Sequence, residues 1–155
     1  MCVILDADAR NEYCSTAPNE MTPLKKWIEG NKGRLVYSRT PRFEKEMEGN
    51  REMRRLLIRY LRSNRARLID PELVEAERKA IAPQVKCNDD HIIALAMASR
   101  TCLLASHDKA LHKDFRQLIL KNREIGCSSS TAVSGIYQKA SHKNLLTKRC
   151  GRGGC

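Results

Sequence analysis

The residues able to do chemistry in this sequence are acids placed at the ends of apolar runs. Cys2–Leu5 is an uninterrupted apolar run that closes on Asp6 and Asp8. A second run, Thr101–Ser106, closes on His107 and Asp108. Between them, Asn88, Asp89 and Asp90 stand directly before the apolar stretch Ile92–Ser99. Short apolar runs of this kind read as strands buried on both faces. The carboxyl ends of such strands are where open parallel sheets bind ligands. Carboxylates gathered at one edge repel each other and raise each other's pKa. A hard divalent cation removes that problem, and magnesium and manganese favour oxygen ligands. Any one of these Asp residues also suits an ordinary helix cap or turn. The repetition of acid at two strand ends is what points to a metal.

Several elements must position those acids. The helix opened by Asn88, Asp89 and Asp90 is apolar on most sides and therefore reads as buried. Asp90 sits at its N-terminus, where the helix dipole favours an anion. Asn11–Glu20 is polar, contains Pro18 and reads mostly as loop. Thr22 and Pro23 look like an N-cap and first helical position, and this helix stops at Gly30 with Trp27 packed on the sheet. RLVYS, after Gly33, is a second strand, and Thr40-Pro41 opens the next helix. Glu44 comes six residues after that strand and is placed to reach the same sheet edge, with Glu46 or Glu48 taking its place if the register slips.

Asn50–Asn64 reads as an amphipathic helix, with Met53, Leu56, Leu57, Tyr60 and Leu61 on one stripe. Its other side carries Arg51, Arg54, Arg55, Arg59 and Arg62, continuing into Arg65 and Arg67. An ordinary surface helix interleaves acids for i,i+4 pairing. This face has almost none, so Arg51, Arg55, Arg59 and Arg62 are candidates for phosphate contacts. Asp70-Pro71 opens a further helix that Pro83 ends, and the segment after Asp108 forms a short helix carrying Asp114. LILKNREIG reads as a last strand, followed by a turn-rich Cys127–Thr131.

The resulting order predicts an α/β fold: a small parallel sheet with helices on both faces, in three layers. One domain is expected over residues 1–137, with a basic, flexible tail over 138–155. The net charge of +11, from 29 Lys and Arg against 18 Asp and Glu, points to a polyanionic partner, nucleic acid first. No apolar run is long enough to span a bilayer, and Asp6 interrupts the only N-terminal apolar stretch, so neither a membrane nor a signal peptide is expected. Seven Cys, an odd count without a paired CxxC, read as reduced thiols in a cytosolic protein. Cys150 and Cys155 flank GRGG in the tail, with no further ligands in sight for a metal there.

Taken together, four features resemble a PIN-domain nuclease. They are hhhhD at Val3–Asp6, a helix-borne Glu after the second strand, D-h-h-h-A at Asp90–Ala94, and hhxxxD at Leu103–Asp108 before a short helix. The resemblance spans roughly residues 2–120. It implies an acidic cluster of Asp6, Glu44, Asp90 and Asp108. Magnesium or manganese would be held by Asp6, Asp90 and Asp108, with Asp8, Asp89 and Asp114 behind them. A metal-activated water would cut RNA, more readily than DNA, without a protein nucleophile. His91 and His107 sit beside acids and are candidates for proton transfer or simple hydrogen bonding. The family further implies pairing with a second copy and with an inhibitory antitoxin. The arginine face is not a feature the resemblance explains. Two rival readings stand beside it. LDADA also resembles the DxD strand end of haloacid-dehalogenase phosphatases, with Asp6 as nucleophile, although Arg10 stands where that family has Thr or Val and no Ser or Thr is evident at a strand end. The other rival is a non-catalytic nucleic-acid-binding domain.

Overall fold

The layers are set by alternation along the first strand, β1 (Cys2–Leu5). Val3 and Leu5 enter one core while Cys2 and Ile4 enter the other, the period-two signature of a strand covered on both faces. The computed structural model of the chain describes residues 1–127 and 135–146. Beyond β1 it contains α1 (Ala7–Cys14), α2 (Thr22–Glu29), β2 (Arg34–Ser38), α3 (Pro41–Met47), α4 (Arg51–Arg62), β3 (Ala66–Ile69), α5 (Pro71–Ile81), α6 (Asp90–Ser99), β4 (Leu103–Ala105), α7 (Lys109–Asp114) and β5 (Gly135–Tyr137). A wide π-type helix continues α7 over Phe115–Leu120, and a 3-10 helix covers Ala140–Leu146.

The five strands form one sheet in the order β3-β2-β1-β4-β5, and every pairing is parallel. Helices α1, α2 and α4 bury Tyr13, Trp27 and Leu57 on one face. Helices α5, α6 and α7 bury Val74, Ile93 and Leu111 on the other. The architecture is thus the expected three-layer α/β/α arrangement. Trp27 is core, and its ring lies so close to Gly33 that a Cβ there would meet Cζ3 at 1.9 Å. That approach requires glycine at the start of β2.

Several local expectations are overturned. Residues from Asn11 to Cys14 belong to α1 rather than to a loop; the helix buries only Ala9, Arg10 and Tyr13, so its polar sequence masks it. Arg65 and Arg67 do not extend the arginine helix. It ends at Arg62, and Ala66–Ile69 is the edge strand β3, whose Arg67 and Leu68 face outward. LILKNREIG holds no strand: its first residues finish the π-type helix, and the last strand is β5. Packed structure continues past residue 137, where a flexible tail was expected. Leu146 is buried, Gln138 Nε2 lies 3.1 Å from His112 Nδ1, and the Ala140 amide meets Glu20 Oε2. The cysteines are not all reduced thiols: Cys102 and Cys127 form a disulfide, and Cys2 is disulfide-bonded as well. The fold brings Cys102 and Cys127 to a Cα separation of 5.6 Å across 25 residues of sequence. Cys150, Cys155 and most of the turn-rich stretch after Cys127 lie outside the described residues. Among the described residues, no helix is long and apolar enough to cross a membrane.

Candidate metal centre

Strand order reverses between β1 and β4. From β1 the chain builds outward through β2 to β3, then returns to add β4 and β5 on the opposite side. The crevice beyond the carboxyl ends of two such strands is the default ligand site of an open parallel sheet. Asp6 follows β1 directly, and Ser106, His107 and Asp108 follow β4.

The Ser106 hydroxyl is the hub of this edge. It donates to Asp6 Oδ2 at 2.7 Å, lies 3.5 Å from Asp8 Oδ2, and accepts from the Asp108 amide at 3.0 Å. Asp8 Oδ2 also accepts from the His107 amide at 2.8 Å. Asp6 is the N-cap of α1, taking the Ala7 amide on Oδ1 at 2.6 Å. Asp108 caps α7 through the Ala110 and Leu111 amides. Asp6 is only 4% exposed. Burial pushes its carboxyl up to about 6; the Ser106 bond opposes this, and the neighbouring Asp8 charge reinforces it.

A second group stands beside the first. Helix α3 crosses the sheet edge, giving Phe43 to the core under α6 and Met47 to the core under α4. Glu44 and Glu46 therefore lie on opposite flanks of its buried stripe, two residues or about 200° apart. Glu44 points to solvent and pairs with Arg39 at 3.7 Å. Glu46 points inward: Arg10 Nη2 is 3.0 Å away, His91 Nε2 2.9 Å and Arg42 Nε 3.5 Å. Burial raises the Glu46 pKa, but His91 and Arg10 more than offset it, leaving the carboxyl below its usual range. His91 is fully buried with its ring edge-on to Phe43. Its Nε2 approaches Glu46 without hydrogen-bond alignment, so neither ring nitrogen has a hydrogen-bond partner.

The two Asp residues before α6 part ways. Asp90 turns to Arg78 on α5, at 3.3 Å. Asp89 is the N-cap residue yet makes no side-chain capping bond; its carboxylate faces the notch, with Arg42 Nη2 at 3.9 Å. Burial raises its pKa, His91 opposes this, and the charges of Glu46 and Asp108 add to it. Asp89 also acts on Asp6, so it links the two groups. One ligand atom from each of Glu46, Asp89 and His91 lies within 4.8 Å of the others, and the three could hold a metal ion. The structure thus brings Asp6, Asp8, Asp89, Asp108 and Glu46 to one edge. It turns Asp90 and Glu44 to other partners.

No family model, curated protein or solved structure matches the chain. Its site rests on its own geometry, in which Ser106 and Arg10 have parts the sequence did not assign them and His91 has a burial it did not reveal. Ser106 ends the β4 segment, inside a run read only for its apolar character. Arg10 lies one helical turn beyond Asp6, a spacing that marks it only once α1 is known to be helical. His91 was noted for standing next to an acid; its full burial could not be read. His107 is at the surface, 3.2 Å from Glu12.

Asp114 plays a bracing part. Its Oδ2 accepts the Lys86 and Cys87 amides, both at 2.7 Å, and so ties the segment leading to Asp89 onto α7. Burial raises its pKa, but those two bonds, joined by the Cys87 thiol and the Lys86 charge, outweigh burial and hold it below the usual carboxylate range. A depressed pKa contributes stability above the ordinary carboxylate value, and that stability is lost as pH falls through the depressed one. Asp114→Ala leaves two amides unpaired and is expected to cost about 2 kcal/mol. Urea unfolding near neutral pH measures this, and the gap to wild type should narrow on acidification. An equal gap at every pH would show that the carboxylate charge plays no part.

Proposed function

We propose that the chain is a metal-dependent endonuclease that hydrolyses phosphodiester bonds in single-stranded or structured RNA. One observation supports this above the others. Asp6, Asp8 and Asp108 converge at the strand-order reversal of a chain with a net charge of +11. Among the described residues, none of the three takes part in an ion pair. Three uncompensated carboxylates amid so many basic side chains favour a cation that arrives from outside.

The donor set fits such a cation. Glu46 and Asp89 offer hard oxygens and His91 a buried imidazole nitrogen, one atom from each within 4.8 Å of the others, with Asp6 and Asp108 on the same edge. Imidazole beside carboxylate favours manganese over magnesium. A divalent ion held there supplies Lewis acidity and makes water a competent nucleophile near neutral pH. The chain's own groups orient the rest. Ser106 fixes Asp6 and the Asp108 backbone, the α6 N-terminus favours negative charge beside Asp89, and basic side chains around the rim hold the phosphate backbone. The phosphatase alternative gains Ser106 as a strand-end hydroxyl, but that hydroxyl already donates to Asp6 and accepts from the Asp108 amide.

Labelled single-stranded RNA and DNA, with manganese, with magnesium and with a chelator, beside a chromogenic phosphomonoester, test the reading. The expected result is internal cleavage of RNA that requires added metal, with no release from the phosphomonoester. Cleavage that survives chelation would overturn the metal centre. Phosphomonoester turnover without RNA cleavage would give the site to the phosphatase.

A further inference from the structure

Helix α4 turns Arg51, Arg54, Arg55, Arg59 and Arg62 to solvent. Only Arg59 has an ion-pair partner among the described residues, Glu29 at 3.8 Å. Like charges at i,i+4 on an isolated helix face are destabilising, so the face is better matched to an anion than to water alone. Beside it opens a groove of about 620 Å³, where the C-terminal end of α1 meets α2 and α4. Ser15, Thr16, Lys25, Arg55 and Arg59 line it, against the single acid Glu52. The groove is built onto the rigid body of the domain. Tyr13 of α1 and Tyr60 of α4 meet hydroxyl to hydroxyl at 3.2 Å beneath it, and Lys25 Nζ donates to the Ser15 carbonyl.

Helix α1 connects this groove to the metal centre. Asp6 caps its first turn and Cys14, which also lines the groove, is its last residue. Eight residues of helix span about 12 Å, or roughly three to four stacked nucleotides at about 3.4 Å each. The lining holds three cations and two hydroxyls but no amide side chain and no aromatic ring. Such a set is suited to phosphate and offers no aromatic face on which bases could stack.

We propose that the α1–α2–α4 groove is the track for the single-stranded RNA flanking the scissile bond, gripping its phosphates three to four nucleotides from the metal centre. This rests on the nuclease reading for its cutting site, though not for the binding itself. The track makes affinity depend on strand length. A strand of about three nucleotides covers only part of the path, whereas one of about ten spans both the groove and the centre.

Fluorescence anisotropy in chelator, where nothing is cut, reads this with labelled oligouridylates of those two lengths. Arg55→Glu/Arg59→Glu is compared with Lys79→Glu/Lys121→Glu, which makes the same change of charge at exposed positions outside the groove. The groove variant should bind the long strand at least about tenfold more weakly, with a salt slope lower by about 1.4, two phosphate contacts' worth on a single strand. The control variant should lose less than about threefold, and circular dichroism confirms that both fold. Equal losses in the two variants would reduce the effect to diffuse charge and overturn the track. So would failure of the wild type to prefer the long strand, or displacement of RNA by polyglutamate of equal charge, which would assign the groove to an acidic protein. Length-dependent binding without cleavage in manganese would sink the nuclease reading and leave the track standing. Cleavage by a groove variant that binds like wild type would do the reverse.

Discussion

Asp6→Asn should raise the stability of the protein near neutral pH while removing the proposed hydrolysis. The two effects have one cause. Burial lifts the Asp6 carboxyl from its usual 3.8 to about 6. The folded state therefore keeps a proton that the unfolded chain has released. Stability is untouched below the unfolded value, falls as pH rises through the window from 3.8 to about 6, and stays reduced above it. At about 1.36 kcal/mol per unit, the folded protein carries a penalty of about 3 kcal/mol at neutral pH. Asparagine removes that penalty and keeps an oxygen to accept the Ala7 amide, so Asp6→Asn should unfold at higher temperature than wild type near pH 7 and converge with it near pH 4. Manganese should raise the wild-type melting temperature near neutral pH and leave that of the variant unmoved, because a ligand that binds only the folded state stabilises it. Hydrolysis should drop by roughly a hundredfold or more, since loss even of a residue that merely supports a metal ligand costs 10- to 100-fold. A variant less stable than wild type by the same margin at every pH would show that Asp6 is a structural cap and not a strained ligand.

The second large effect separates neighbours. Asp89→Asn should cost the proposed hydrolysis roughly a hundredfold, while Asp90→Asn should leave it within about threefold. Asp89 has no side-chain capping bond and shares the notch with Glu46 and His91. Asp90 is spent on Arg78 in a pair whose side chains are 39% and 30% exposed. Pairs that exposed contribute about 0–1 kcal/mol, so Asp90→Asn should lower stability only slightly. Initial cleavage rates across a manganese titration decide the matter. The reverse ranking would return the ligand role to Asp90 and remove the link between the two acidic groups.

That contrast also marks how far the site can be read without coordinates. The strand ends were legible because strands buried on both faces are written as plain apolar runs: Cys2–Leu5 and Leu103–Ala105 announce themselves and deliver Asp6 and Asp108. The helix-borne acids were not. Each residue along a helix turns the side chain by about 100°, so a cluster such as Glu44, Glu46 and Glu48 names a neighbourhood without naming the member that faces the notch. Only the seating of α3, with Phe43 in one core and Met47 in the other, brings Glu46 to His91 and sends Glu44 to Arg39. The same holds before α6, where Arg78 on a neighbouring helix takes Asp90 and leaves Asp89 beside Glu46 and His91.

Composition and pattern alone thus determined the class of the molecule: three-layer α/β, strongly basic, with acids at the carboxyl ends of its central strands. Tertiary structure alone decided the rest. It made a helix of the polar segment after Asp6, a strand of Ala66–Ile69, and a disulfide of Cys102 and Cys127. It also chose Glu46 and Asp89 over their neighbours. The physical reason is that burial pattern is a local property, carried by residues a few positions apart, whereas side-chain direction and pairing across a notch depend on which surfaces meet, and those are fixed by contacts between segments dozens of residues apart.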